Sequence, residues 1–182
     1  MTSGRTSDDG LAAWVDTVLP KAFAFARSLV LDAATAEDLV HDCMFRLWQR
    51  RERYDLNSDG LRLLFRAISN AAVDGFRRTS RVHSSGWIDD ESHGLDSGSL
   101  EPAEVLVLEE TQSVIAVALS RLSLNQRAAL QLCSQGFSLR EIAESLKVSE
   151  QNAGVLVHRA RKAMEQMLAP YLQDGKLSGV NR

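Results

Sequence analysis

Residues 138–169, SLREIAESLKVSEQNAGVLVHRARKAMEQMLA, constrain this chain more than any other stretch. Ser138 and Glu141 stand three apart, the spacing at which a hydroxyl and a carboxylate satisfy a helix's first free N–H groups in a capping box. Ile142, Ala143 and Leu146 then fall on one helical face. Lys147-Val148-Ser149 breaks the period, and Ser149 is placed to cap a longer helix carrying Ala153, Val157, Ala160, Met164 and Leu168 at spacings of three and four. That helix contains the basic run His158-Arg159-Ala160-Arg161-Lys162. A short helix, a tight turn and a second, basic helix make the helix-turn-helix layout, whose second helix enters the DNA major groove. The same residues alone also fit an ordinary helical hairpin, so the rest of the chain decides.

Helical periodicity runs through nearly everything else. Leu11–Leu31 repeats apolar residues at helical spacing, with Pro20 expected to kink or interrupt it. Thr35-Ala36-Glu37-Asp38 opens a second predicted helix reaching about Arg53. Tyr54–Gly60, YDLNSDG, is dense in turn formers and reads as a loop before a third helix from Leu61 to Arg78. Arg81–Glu101 is rich in Ser, Gly and Asp and reads as a linker. Helix restarts at Pro102, runs through Ala103–Arg121, and starts again after a second capping box, Ser123 with Gln126, with Gly136 as a left-handed cap. No alternating run is long enough for a sheet. The expected fold is all-α: two small helical domains joined by a flexible acidic linker, the C-terminal one with the helix-turn-helix. The expected boundaries are a disordered 1–10, a first domain at 11–80, the linker at 81–101, a second domain at 102–170 and a flexible 171–182.

Charge is segregated along this chain of 182 residues, although its formal net charge is only −3. Arg46 to Arg81 holds nine arginines and four acids, whereas Val82 to Ser120 holds eight acids and no Lys or Arg. The net charge argues against non-specific coating of nucleic acid, while such blocks imply separate electrostatic surfaces on one chain. Cys43 and Cys133 each sit in an apolar helical pattern, as reduced core thiols do. His41-Asp42-Cys43 offers metal-ligating side chains, but residues two apart on a helix point to different faces, so no metal site is expected. No glycine-rich phosphate loop or nucleophile–base pairing stands out, so neither a cofactor nor catalysis is expected. The polar start MTSGRTSDDG and the lack of a long apolar run predict a cytoplasmic protein without membrane insertion.

Taken in order, Ala36–Trp48 (AEDLVHDCMFRLW), Leu63–Asn70 (LLFRAISN), Asp74–Arg78 (DGFRR), Leu119–Arg127 (LSRLSLNQR), Gly136–Ala143 (GFSLREIA) and His158–Lys162 (HRARK) resemble the bacterial sigma factors of the extracytoplasmic-function type. The resemblance covers about residues 11–169. It implies that the first domain docks on core RNA polymerase through Asp38, His41, Asp42, Arg46 and Trp48. Asp38, His41 and Asp42 also share one helical stripe by spacing alone. By resemblance Asn57, Ser58, Asp59, Gly60 and Leu61 form the loop that receives a flipped base of the −10 promoter element, with Asn70 beside it. An amide can read a base edge, whereas Arg62, Arg66, Arg77 and Arg78 can hold phosphates. The second domain would read the −35 element through Ser149, Gln151, Asn152, Val155, His158, Arg159, Arg161 and Lys162. The resemblance further implies promoter DNA and an anti-sigma factor as partners, and a linker threaded through the polymerase.

Two departures stand out. Gly154, Val155 and Leu156 replace the basic or polar residues usual in the family's recognition helix, leaving open whether that face meets DNA or a protein. Leu63 stands where the family often has an aromatic residue. A stand-alone helix-turn-helix regulator is the alternative reading; it leaves Asp38–Trp48 without a purpose.

Overall fold

The computed structural model describes residues 8–83 and 110–173. Seven α-helices account for nearly all of these residues: α1 (Asp8–Val30), α2 (Ala33–Gln49), α3 (Leu56–His83), α4 (Glu110–Ser120), α5 (Leu124–Ser134), α6 (Leu139–Leu146) and α7 (Glu150–Gln173). A single 3₁₀ turn, Arg51–Arg53, lies between α2 and α3. The fold among the described residues is all-α, with α1–α3 packed as one unit and α4–α7 as another.

Each helix forms where period and caps agree. Leu29, Val40, Leu64 and Ile68 lie fully out of solvent at the centre of the first unit, and Leu132, Ile142 and Leu146 do the same in the second. Burying one such side chain is worth about 1.5–3 kcal/mol, which outweighs the modest helix propensity of β-branched residues. Both capping boxes form: the Ser123 and Ser138 hydroxyls accept from the N–H groups of Gln126 and Glu141, whose side chains accept in return from the serine N–H groups. Gly136 takes φ 78°, the left-handed value expected of it. Lys147 also adopts left-handed backbone, φ 55°, at the end of α6, and so turns the chain into α7. Ser149 caps α7 through the N–H of Asn152 at 3.2 Å.

Several expected boundaries move. Pro20 lies inside α1 without interrupting it. α2 opens at Ala33 rather than at Thr35, capped by Asp32, whose carboxylate accepts the Thr35 N–H at 2.7 Å. These hydrogen bonds, the Thr35 hydroxyl's and then its N–H's, hold the Asp32 carboxyl below its ordinary range. The second helix ends at Gln49, the 3₁₀ turn taking up the remainder. Asn57, Ser58, Asp59, Gly60 and Leu61 are not a loop but the first turns of α3. Asp55 starts that helix early, its carbonyl accepting the Asp59 N–H at 2.9 Å and its carboxylate the Ser58 N–H at 3.4 Å. Helix also covers Asp8–Gly10, Arg81–His83 and Tyr171–Gln173, positions expected to be tail or linker. The remainder of the expected linker and of both termini falls outside the described residues.

The two units do not stand apart. α3 packs against α5 and α6, and α1 against α5, so that buried residues of both units belong to one continuous apolar cluster.

Candidate nucleic-acid interface

Three charged faces emerge from this packing. The first lies on α2, where burial of Ala36, Val40, Cys43 and Leu47 turns the opposite stripe outward. Asp38, His41 and Asp42 are exposed there, and Arg46 pairs with Asp42 one turn away at 3.3 Å. The His41 ring meets Phe23 edge-on at 5.7 Å. Trp48 is 37% exposed, with the Arg51 guanidinium 4.3 Å above its ring. Phe45, which sequence reasoning did not single out as a contact, is 62% exposed. Together with Trp14, Val15, Met44, Leu47 and Leu56, Phe45 and Trp48 line an open apolar hollow of about 220 Å³. The signal was present in the sequence: a phenylalanine one place off the buried stripe is a large apolar side chain turned to water. Cys43 is buried beneath the stripe, and burial pushes its thiol up to about 11, with Arg46 opposing and Asp42 adding.

The second face belongs to α3. Gly60 is buried because the Trp14 indole lies over it: a Cβ there would sit 2.5 Å from Trp14 Cζ2. Gly60 is thus a packing position, whereas Ser58 and Asp59 are exposed. Asn57 and Leu61 lie on the same first turns of the helix. Asn70 is half-buried on the inner part of α3, its side-chain oxygen enclosed without a protein partner. Arg62, Arg66 and Arg77 line α3 toward α6, and each donates to it. Arg78 instead bonds the Asp74 carbonyl on its own helix at 3.3 Å. The structure therefore brings Arg62, Arg66 and Arg77 together along one line and encloses the side-chain oxygen of Asn70.

The third face is the outer side of α7. Gln151, Val155, His158, Arg159, Arg161 and Lys162 are exposed, Asn152 is half-buried, and Ser149 is exposed at the cap. Ala153, Val157 and Ala160 turn inward, so the basic residues project outward together. Arg161 reaches back to the Cys133 sulfur at 3.1 Å. Of the three residues that depart from the family pattern, only Val155 is exposed; Leu156 packs against the core, and the nearest atom to a Cβ at Gly154 is Leu139 Cδ1 at 3.6 Å.

Arg127 had no role in the sequence reading. It is buried, and its Nη1 donates to the carbonyls of Leu119 at 3.3 Å and Ser120 at 3.5 Å, closing the end of α4. Burial lowers its pKa to about 10. Among the described residues no cluster of three or more metal-ligating side chains forms, and no helix is long and apolar enough to cross a membrane.

Comparison with known proteins places these faces in a family context. Residues 14–82 match the family described as Sigma-70 region 2, and residues 113–164 match Sigma-70, region 4. The chain is 28% identical over 166 residues to the ECF RNA polymerase sigma factor SigX of Bacillus subtilis, covering 87% of this chain and 86% of that protein. It is 31% identical over 146 residues to the ECF RNA polymerase sigma factor SigL of Mycobacterium tuberculosis, covering 79% and 80%. Among solved structures, the sigma factor RpoE of Bartonella quintana, in complex with the anti-sigma factor NepR, is similar with a TM-score of 0.59 and 26% identity. That likeness covers 94% of this chain and 98% of the other.

Proposed function

The chain belongs to the extracytoplasmic-function (ECF) sigma factors of RNA polymerase, and from that membership we infer that it binds core RNA polymerase, directs it to specific promoters and initiates DNA-templated transcription there. The observation that carries this reading is the order of the two family matches on one chain, each falling on a helical unit with its own exposed charged face.

Residues 11–80 are the region 2-like domain, 81–101 the connection and 102–170 the region 4-like domain. Asp38, His41, Asp42, Arg46 and Trp48 dock on core polymerase, with exposed Phe45 completing the surface. An acidic stripe beside an apolar hollow suits a basic, amphipathic partner helix. The start of α3 and Asn70 handle the −10 element, while Arg62, Arg66, Arg77 and Arg78 hold phosphates. On α7, Gln151 and Asn152 have the amide donors and acceptors to read base edges, and His158, Arg159, Arg161 and Lys162 supply positive charge beside the groove. Half-burial of Asn70 fits a residue that acts only after strands separate, since capturing an unstacked base requires the pocket to adjust. The protein works in the cytoplasm, catalyses no reaction itself, and is held inactive by an anti-sigma factor until needed.

Transcription from fragmented genomic DNA by core polymerase, with and without this chain, tests the reading. Transcripts sharing defined 5′ ends only when the chain is present are expected; transcripts identical to those of core polymerase alone would refute it.

A further inference from the structure

One buried charge has no part in the three faces above. Arg127 is 7% exposed, and its Nη1 carries the hydrogen bonds it makes among the described residues, to the Leu119 and Ser120 carbonyls. Its Nε is enclosed with no partner there. The Nε–Nη2 edge of a guanidinium can grip a carboxylate through two parallel N–H···O bonds, and a buried donor is costly to leave unpaired. Arg127 also lines a hollow of about 400 Å³. The walls come from both units: Leu29 of α1, Leu39 of α2, Ala72 and Gly75 of α3, and Leu122 in the turn between α4 and α5. Among the described residues Arg127 is the single charged side chain in that lining. The Thr79 and Ser120 hydroxyls on the wall already donate to carbonyls of their own helices. Burial lowers the Arg127 pKa only to about 10, so the group is a cation at neutral pH. Gly75 is a second sign of room, because a Cβ there would meet no neighbouring group within 4 Å.

We propose that this hollow is a binding site for a small monocarboxylic acid with an apolar body: the carboxylate pairs with Arg127, and the hydrocarbon fills the space beside Gly75. A cavity of about 150 Å³ takes up one benzene ring. By that measure about 400 Å³ suits a chain or fused ring of about ten carbons. One guanidinium balances one negative charge, and apolar walls strengthen the pair by keeping the local dielectric low. The same walls would leave the hydroxyls of a sugar or the phosphates of a nucleotide without partners, which disfavours such ligands. None of the residues assigned above to polymerase or DNA lines the hollow, so this binding is separate from those contacts. An occupant touches both units and stabilises the folded chain by mass action.

Titration calorimetry of the full chain with sodium decanoate, below its micellar concentration, tests this, with decan-1-ol as the neutral probe of equal length. Decanoate is expected to bind one molecule per chain and to raise the melting temperature as its concentration rises. Decan-1-ol keeps the hydrocarbon and lacks the charge, so it should bind at least about tenfold more weakly, the worth of one charge-assisted pair. Gly75→Leu fills the hollow from its wall and leaves Arg127 unaltered. It also replaces glycine with a better helix former, so the variant should fold at least as well as the parent. Its affinity for decanoate should fall at least about tenfold, because the added side chain takes the space of the ligand's hydrocarbon. Absence of decanoate binding, equal binding of the two probes, or undiminished binding by Gly75→Leu each overturns the proposal. The comparison of probes uses the unaltered chain, so it decides the matter whether or not Gly75→Leu folds.

Discussion

α2 and α3 each carry a charged face, and the two faces have opposite circumstances. On α2, Asp38, His41 and Asp42 look outward, and Asp42 pairs with Arg46 within the helix. On α3, Arg62 and Arg66 pair with carboxylates 79 and 78 residues away in sequence, and Arg77 with a carbonyl 69 residues away. An acidic face left in water costs little, because water solvates it well. A row of arginines collects anions, and the nearest are the chain's own. Two surfaces of one small domain thus differ in whether a partner must compete for them.

That contrast can be broken at several points. The largest effect belongs to Gly60→Val, because the contrast needs α3 to be held as helix from its first turn. The added atoms meet the Trp14 indole, so stability should fall by about 3 kcal/mol in urea unfolding. An unchanged midpoint would mean the start of α3 is not packed as described. Next is the double reversal Asp38→Lys with Asp42→Lys. Both positions are exposed, so helicity by circular dichroism should not change, while affinity for core polymerase should fall about tenfold, roughly 1.4 kcal/mol. Duplex DNA binding should not weaken; if it does, the two faces are not independent.

Ser138→Ala removes the hydroxyl that caps α6 and should lower stability by about 1 kcal/mol. It should also quicken hydrogen exchange in α6, while core polymerase binding stays as it was. The smallest effect is a matter of pH. Hydrogen bonds from Arg62 first, then from Ser138, pull the Glu141 carboxyl from its ordinary 4.5 to about 2. Its folded pKa is depressed, so its contribution is present above the ordinary value and fades as pH falls toward about 2. Acid unfolding of Glu141→Gln, followed by circular dichroism, should therefore depend less steeply on pH than that of the parent across this window. Equal slopes would remove Glu141 from the set of paired carboxylates.

Much of this was legible in the residues. The period of three and four marked every described helix, and the Ser123, Ser138 and Ser149 caps fell where their side chains said, because capping is decided within four residues. What failed did so for reasons outside that range. Turn formers at Asn57–Gly60 became helix because Asp55 caps it, and Gly60 sits there beneath the Trp14 indole, where a Cβ would not fit. The start of α2 lies two residues before Thr35 because the Asp32 carboxylate caps it. Outward placement of Asp38, Asp42, Gln151 and Lys162 followed from the stripes opposite them. Capture of Arg62, Arg66 and Arg77 by α6 did not, since nothing in α3 names a partner so far along the chain.

The two cysteines offer a consequence of another kind. Cys43 is buried in the first unit with its thiol raised to about 11, whereas Cys133 is half-buried in the second. Alkylation requires a thiolate and access, so Cys43 reacts only during excursions that expose α2. The first unit thus carries its own natural clock. Labelling kinetics under native conditions, resolved by peptide, time its breathing through Cys43, with the half-buried Cys133 as an internal reference and no foreign probe installed.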